Sequence, residues 1–237
     1  MKLIKLFLIM SLVIPTNSLF AQKIKGNGTV VKQDRTITSF KSLLIEGACN
    51  VIITQGAIES ISIEADDNIQ KYILTENSGN NLTIKLEKGI AIESSTKMNV
   101  YLTIKNIDAL VISGIGNVEC TTPLLLDRLN LIKSGAGNTK LYLSCSALDA
   151  IISGVGSVKM IGHIADASIN ISGAGSLKAY DLIIQNLKIK KSGVCNVHVF
   201  AEKEIDIETS GTGDIYYKGN AKVKNLKNDG VGVVKKM

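Results

Sequence analysis

Cysteine, histidine and carboxylate side chains are the groups in this sequence that could attack a substrate, ligate a metal or shuttle a proton. Their spacing favours none of these. Cys49, Cys120, Cys145 and Cys195 form no C-x-x-C pair, and His163 and His198 are the only histidines. A zinc site needs several such ligands grouped at short spacing. Each cysteine is therefore expected as a small buried hydrophobe rather than half of a disulfide, and no metal or cofactor is expected.

Glycosidases hold two carboxylates roughly 5 to 10 Å apart, and a lyase needs a positioned base. The acidic residues Asp149, Asp181, Glu202, Asp206 and Glu208 fall at outward strand positions without an evident cluster. Stacked acyltransferases repeat every six residues and use a histidine base, and neither feature is present. The chain is read as a non-enzyme. The formal charge of +6, from 27 basic and 21 acidic residues, is a mild excess. Only Arg35 and Arg128 are arginines, so the planar forks that dominate phosphate and base recognition are nearly absent, and nucleic acid is not an expected partner.

What could position any site is an internal repeat, Ser-Gly-x-Gly-Asn/Ser/Asp-apolar. Its first glycine stands at Gly114, Gly135, Gly154, Gly173, Gly193 and Gly211, with a worn copy at Gly230, a period of about 18 to 21 residues. The second glycine is Gly116, Gly137, Gly156, Gly175 or Gly213, replaced by Cys195 in one copy and by Cys49 in an early copy at Glu46–Val51. The fifth position carries Asn117, Asn138, Ser157, Ser176, Asn196 and Asp214.

Apolar residues alternate on both sides of each motif, as in a strand with one buried face. Before it come Leu129 and Leu131, Leu148 and Ala150, Ile169 and Ile171, Leu187 and Ile189, Ile205 and Ile207; after it come Val118, Leu141, Val158, Leu177, Val197 and Ile215. A unit of two such strands cannot bury its own apolar face, but stacked units share a continuous core. The expected fold is all-β: a right-handed parallel β-solenoid of about seven to eight coils, with two main strands per coil and glycine-rich corners. At about 4.8 Å per coil the rod would be on the order of 35 to 40 Å long.

In that frame the two glycines supply positive φ and a side-chain-free corner. The fifth-position residues would stack into a polar ladder between coils, or present a binding face. Residues 22–105 are less regular and are expected as longer coils or hairpins capping one end, with a short helical turn near Asp66–Tyr72. The whole of 22–237 is read as one domain, with regular repeats over 106–237.

Residues 1–21 read as a secretory signal, with Lys2 and Lys5 at its start, an apolar stretch from Leu6 to Ile14, and Ser18–Ala21 as the cleavage site. Its apolar run is too short to span roughly 30 Å of hydrocarbon, so no transmembrane segment is expected. Removing it lowers the formal charge to +4.

The repeated turns, the segment Ile61–Ile69 and the approach Val100–Leu110 together resemble the auto-transporter adhesin head domain of the GIN type, over roughly residues 38 to 220. That resemblance implies a β-helix similar to pectin-lyase solenoids but without their catalytic residues, and an adhesive role, in exported proteins of Bacteroidota. Cys49 and Cys195 depart from the turn pattern and put local geometry there in question. The expected function is adhesion or surface binding in the periplasm or at the cell surface. Glycans or surface proteins are the expected partners, with self-association at the solenoid ends a further expectation. The alternatives are an envelope scaffold or sensor partner and, less favoured, a polysaccharide lyase.

Overall fold

Aliphatic alternation and recurring glycine corners leave the chain one way to hide its apolar side, and it takes it: coil upon coil of parallel strands. The computed structural model describes residues 21–237, so the secretory signal proposed for 1–21 lies, except for Ala21, outside the described residues. About seven coils stack.

The long strands Thr139–Ile152, Val155–Ile171, Ala174–Lys191 and Val194–Thr209 each run from just after one corner to just before the next, each pairing in parallel with its neighbour. Leu124–Lys133 joins Thr139–Ile152 from one side, and Ile215–Lys218 with Lys222–Asn228 extends the stack from the other. Register makes the core a set of files. Val51, Val118, Thr139, Val158, Leu177, Val197 and Ile215 stand one above another, every one buried. Leu43, Leu110, Leu131, Ala150, Ile169, Ile189 and Ile207 form a second buried file. Each fully buried aliphatic contributes about 1.5 to 3 kcal/mol, so the files supply the main drive for stacking.

The N-terminal half does not stack in chain order. Ser42–Ile45 pairs on one side with Ala109–Ile112 and on the other with Asn81–Leu86. Asn50–Gln55 likewise lies between Val118–Cys120 and Met98–Ile104. The coil of residues 42–55 is thus inserted between two later ones. Beyond it the parallel edge is closed by antiparallel strands: Ile73–Ser78 on Asn81–Leu86, and Ser60–Asp66 on Met98–Ile104, with Val30–Arg35 outermost. These pairings consume the backbone groups that an open edge would offer to another chain. The helical turn at Asp67–Gln70 follows Asp66, and Gln22–Lys25 forms a small parallel pair with Ile90–Ser94. At the opposite end Lys222–Asn228 is exposed throughout and carries three lysines, a common device against edge-to-edge aggregation.

Candidate ligand-binding face

The corners place the turn residues and give the two glycines different tasks. Gly116, Gly137, Gly156, Gly175 and Gly213 adopt φ between +99° and +151°, whereas the first glycine of each motif has no positive φ. The first is needed for close approach. A Cβ on Gly114, Gly135, Gly154, Gly173, Gly193 or Gly211 would run into the backbone carbonyl of the coil beneath. At Cys49 and Cys195 the turn forms without positive φ, both side chains are buried, and Cys195 N still donates to Thr212 O at 3.1 Å. All four cysteines are free and buried, and burial pushes the Cys49 and Cys120 thiols up to about 12 and Cys145 to about 11.

The fifth-position residues line up along the corner. Asn50 Oδ1 accepts from Asn117 N, Asn117 Oδ1 from Asn138 N, and Asn138 Oδ1 from Ser157 N, at 3.1, 2.9 and 3.0 Å. Ser157 and Ser176 hydroxyls meet at 2.9 Å, Asn196 Oδ1 accepts from Asp214 N at 2.9 Å, and Asp214 Oδ1 from Val233 N at 2.8 Å. Their oxygens are therefore spent on joining coils. Beside them the corner tip carries the exposed aliphatics Ile115, Val155, Val194 and Val231.

Two inward positions hold lysine. Lys133 and Lys191, each 2% exposed, occupy the file that contains Ile112, Ile152 and Ile171 elsewhere. Lys133 Nζ donates to the carbonyls of Gly135 and Val155, and Lys191 Nζ to that of Thr212 at 3.1 Å. Strict alternation from Leu129 and Leu131 points Lys133 inward, a signal that reading lysine as solvated overlooks.

The two broad outer faces differ in chemistry. Before the corners, an open groove of about 440 Å³ holds Asn170, Lys190, Glu208 and Lys227, and a second of about 330 Å³ gathers Asp149, Asp166, Glu204 and Asp206. The four carboxylates stay spread along that groove: register sets Asp149 and Asp206 three coils apart and Asp166 and Glu204 two coils apart. Three of the four are already engaged. Glu204 pairs with Lys224 at 2.6 Å, Asp166 accepts from Asn186 at 2.8 Å, and Asp206 lies 4.0 Å from Lys188 and 3.2 Å from Asn225. Glu208 sits in the first groove with Lys190 at 2.8 Å, Asp181 lies 3.6 Å from Lys159, and Glu202 accepts from Asn220. Among the described residues no three His, Cys, Asp or Glu side chains converge as metal ligands would.

After the corners the face is aromatic and basic. One outward row runs Lys140, Lys159, Lys178, His198, Tyr216, Lys235 in register. Two residues further along each strand stand Tyr142, Ile161, Tyr180, Phe200 and Lys218. A register irregularity between Ala179 and Ile183 bulges the strand at Tyr180, and such bulges re-aim side chains. The Tyr180 ring meets His198 edge-on at 5.1 Å, and His198 stacks on Tyr216 at 5.5 Å. Lys218 Nζ lies 4.4 Å from the Tyr180 ring centre and Lys140 Nζ 5.2 Å from that of Tyr142, within cation–π range. Tyr216 donates its phenol proton to Asp214 at 2.9 Å, which raises its pKa, and desolvation raises that of Tyr180. His198 Nδ1 is buried without a hydrogen-bond partner.

Half-exposed aromatic rings beside cations can stack on a ligand and attract negative charge at once. None of these rings stood out in the sequence as a site. The signal was the same 18-to-21-residue period that marks the corners, read on the outward positions.

A family model described as "Putative auto-transporter adhesin, head GIN domain" matches residues 39–221. The chain is similar, at 26% identity and a TM-score of 0.87, to the crystal structure of a "putative adhesin" from Bacteroides fragilis NCTC 9343, with 90% of this chain and 100% of that one covered. A "putative adhesin" from Parabacteroides distasonis ATCC 8503 shares 22% identity and a TM-score of 0.73, over 91% of this chain and 100% of its own. A structure described as "Putative lipid binding protein" from the same organism shares 21% identity and a TM-score of 0.70, over 90% and 100%. No curated protein matches the chain.

Proposed function

Because the chain belongs to the auto-transporter adhesin head GIN domain family, we propose that it is an exported, non-catalytic surface-binding module. Its contact surface is the face of Tyr142, Tyr180, His198, Phe200 and Tyr216 with their lysines. The observation that carries this reading is the unbroken ring series Tyr180–His198–Tyr216 across three coils, in a chain with no tryptophan and few aromatics. A soluble scaffold gains little from keeping its scarce rings half exposed on one side, whereas a binding surface uses them as low-entropy anchors. Repeated groups in register also suit weak multivalent contact with glycans or proteins of an envelope or host surface.

The export part rests on the signal pattern of residues 1–21, and no helix among the described residues is long and apolar enough to cross a membrane. The test is retention of residues 22–237, displayed on beads, on mucin-coated and envelope-coated surfaces under flow. Retention should be lost when Tyr180, His198 and Tyr216 are all changed to Ser with the fold intact by circular dichroism. It should persist when Lys190 and Glu208, on the face before the corners, are changed to Ser. No retention of the unaltered protein, or equal loss from both variants, would overturn the proposal.

A further inference from the structure

We infer that the ligand of this face is an acidic polysaccharide lying along the solenoid axis. The inference rests on the surface-binding role proposed for the same face and adds the chemical class of what is bound.

Three features carry it. First, the face is a lattice in one direction. Lys140, Lys159, Lys178, His198, Tyr216 and Lys235 recur once per coil, about 4.8 Å apart, the spacing between paired strands. An extended chain of pyranose rings advances by a similar step, so it meets an equivalent group at each coil; a globular partner has no such repeat. Second, the rings form a rigid apolar strip; His198 and Tyr216 spend one face each on the other, and the ring surface left outward is of the sort that packs on the C–H side of a sugar. Tyr180, His198 and Tyr216 span three coils, enough for consecutive residues of one glycan.

Third, part of the positive charge on this face is left unpaired within the protein. On the face before the corners Lys188, Lys190 and Lys224 each lie within 4.0 Å of a carboxylate on an adjacent coil. On the aromatic face Lys140 is held by Glu119 and Lys159 by Asp181, while Lys178, Lys218 and Lys235 have no carboxylate partner among the described residues. These three unpaired lysines attract a ligand of opposite sign and raise its encounter rate. The cations are lysines throughout, and the two arginines lie elsewhere: Arg35 in the N-terminal cap and Arg128 on the strand Leu124–Lys133. That favours the single negative charges of sugar carboxylates or sulfates over the bidentate arginine contacts typical of phosphate recognition.

The experiment is titration calorimetry of residues 22–237 at low ionic strength with four probes: polygalacturonate, hyaluronate, carboxyl-reduced polygalacturonate as the neutral partner of the first, and single-stranded DNA as a non-sugar polyanion. At least one of the two acidic polymers should bind tenfold or more tighter than the neutral one and than DNA. Added salt should weaken it, because exposed charges are screened over about 10 Å at 0.1 M. The double variant Lys178→Gln/Lys218→Gln should lower affinity for the acidic polymer roughly tenfold, about 1.4 kcal/mol, with the thermal midpoint unchanged.

Equal binding of acidic and neutral polymers would overturn the acidic class while leaving the surface-binding role standing. DNA binding as tight as the acidic polymers would reduce the face to a general polyanion attractor and overturn the glycan inference. No binding to either acidic polymer overturns it outright, and if bead retention persists, only the ligand class has failed.

Discussion

The ammonium of Lys133 donates to the carbonyl oxygen of Val155, 2.8 Å away in the next coil, and at 2.9 Å to that of Gly135. No carboxylate shares this buried site, and desolvation holds the lysine below its usual pKa. Both carbonyls also keep a backbone donor, Gly137 N to Val155 O and Val155 N to Gly135 O. Lys133→Met should therefore shift stability by less than about 1.5 kcal/mol, since a linear apolar chain fills similar volume. Lys133→Glu should be severely destabilising, because its carboxylate would face carbonyl oxygens. With a depressed folded pKa, the ammonium opposes folding at low pH and this cost fades as pH rises toward 10.5. Urea melts should accordingly show the natural protein gaining on Lys133→Met between pH 7 and 10.

A Cβ on Gly154 would strike the Gly135 carbonyl and come within 2.7 Å of the Ser134 carbonyl carbon, all of it backbone held in the ladder. Gly154→Ala should cost more than about 3 kcal/mol or abolish folding, as overpacking against rigid backbone does. Gly79, at φ +56° with open space around it, is the comparison: Gly79→Ala should cost about 1 to 2 kcal/mol. Similar melting temperatures for the two variants would contradict the close-approach account.

Of the Asn138 side chain, only the oxygen is used between coils, accepting from Ser157 N. Asn138→Asp keeps that acceptor, as Asp214 does naturally toward Val233 N, and should melt near the unaltered protein. Asn138→Ala should lose about 1 kcal/mol, the net value of one hydrogen bond whose donor can turn to water. Hydrogen exchange at the Ser157 amide, faster in Asn138→Ala only, checks the mechanism.

Glu64 ties the cap strand Ser60–Asp66 to the last parallel layer, accepting from Lys97 Nζ at 2.9 Å, Tyr101 Oη at 2.8 Å and Asn99 Nδ2 at 3.3 Å. These partners, Lys97 foremost, push its carboxyl from 4.5 down to about 2. A carboxylate whose folded pKa is depressed stabilises fully above its unfolded value, and that contribution disappears as pH falls through the folded one. The stability difference between the protein and Glu64→Gln should thus be constant above about pH 5 and shrink between about 4.5 and 2. A difference unchanged down to pH 2.5 would contradict it.

The fold was legible because its determinants are local and repeated. Leu129, Leu131 and the Ser134-Gly135-x-Gly137 corner say strand and turn by themselves, and recurrence every 18 to 21 residues leaves stacking as the way to bury the aliphatic side. The site was much less so. Tyr180, His198 and Tyr216 are 18 residues apart in steps, and nothing local to any of them signals a contact. Lys133 was hidden differently, by residue type: alternation pointed it inward while its charge suggested water.

Sequence alone determined that the chain would coil, where each corner would fall and which side chains would face the dry interior, since those follow from period-2 strands and from backbone that tolerates no Cβ at the corners. Only the tertiary structure decided the order of the coils, with residues 42–55 set between 81–104 and 109–120, and which outward residues became neighbours. Inter-coil register is a property of whole strands pairing at once. The bulge at Tyr180 belongs to that level too: it exists only relative to the strands on either side, and it brings a tyrosine, a histidine and a second tyrosine into one surface.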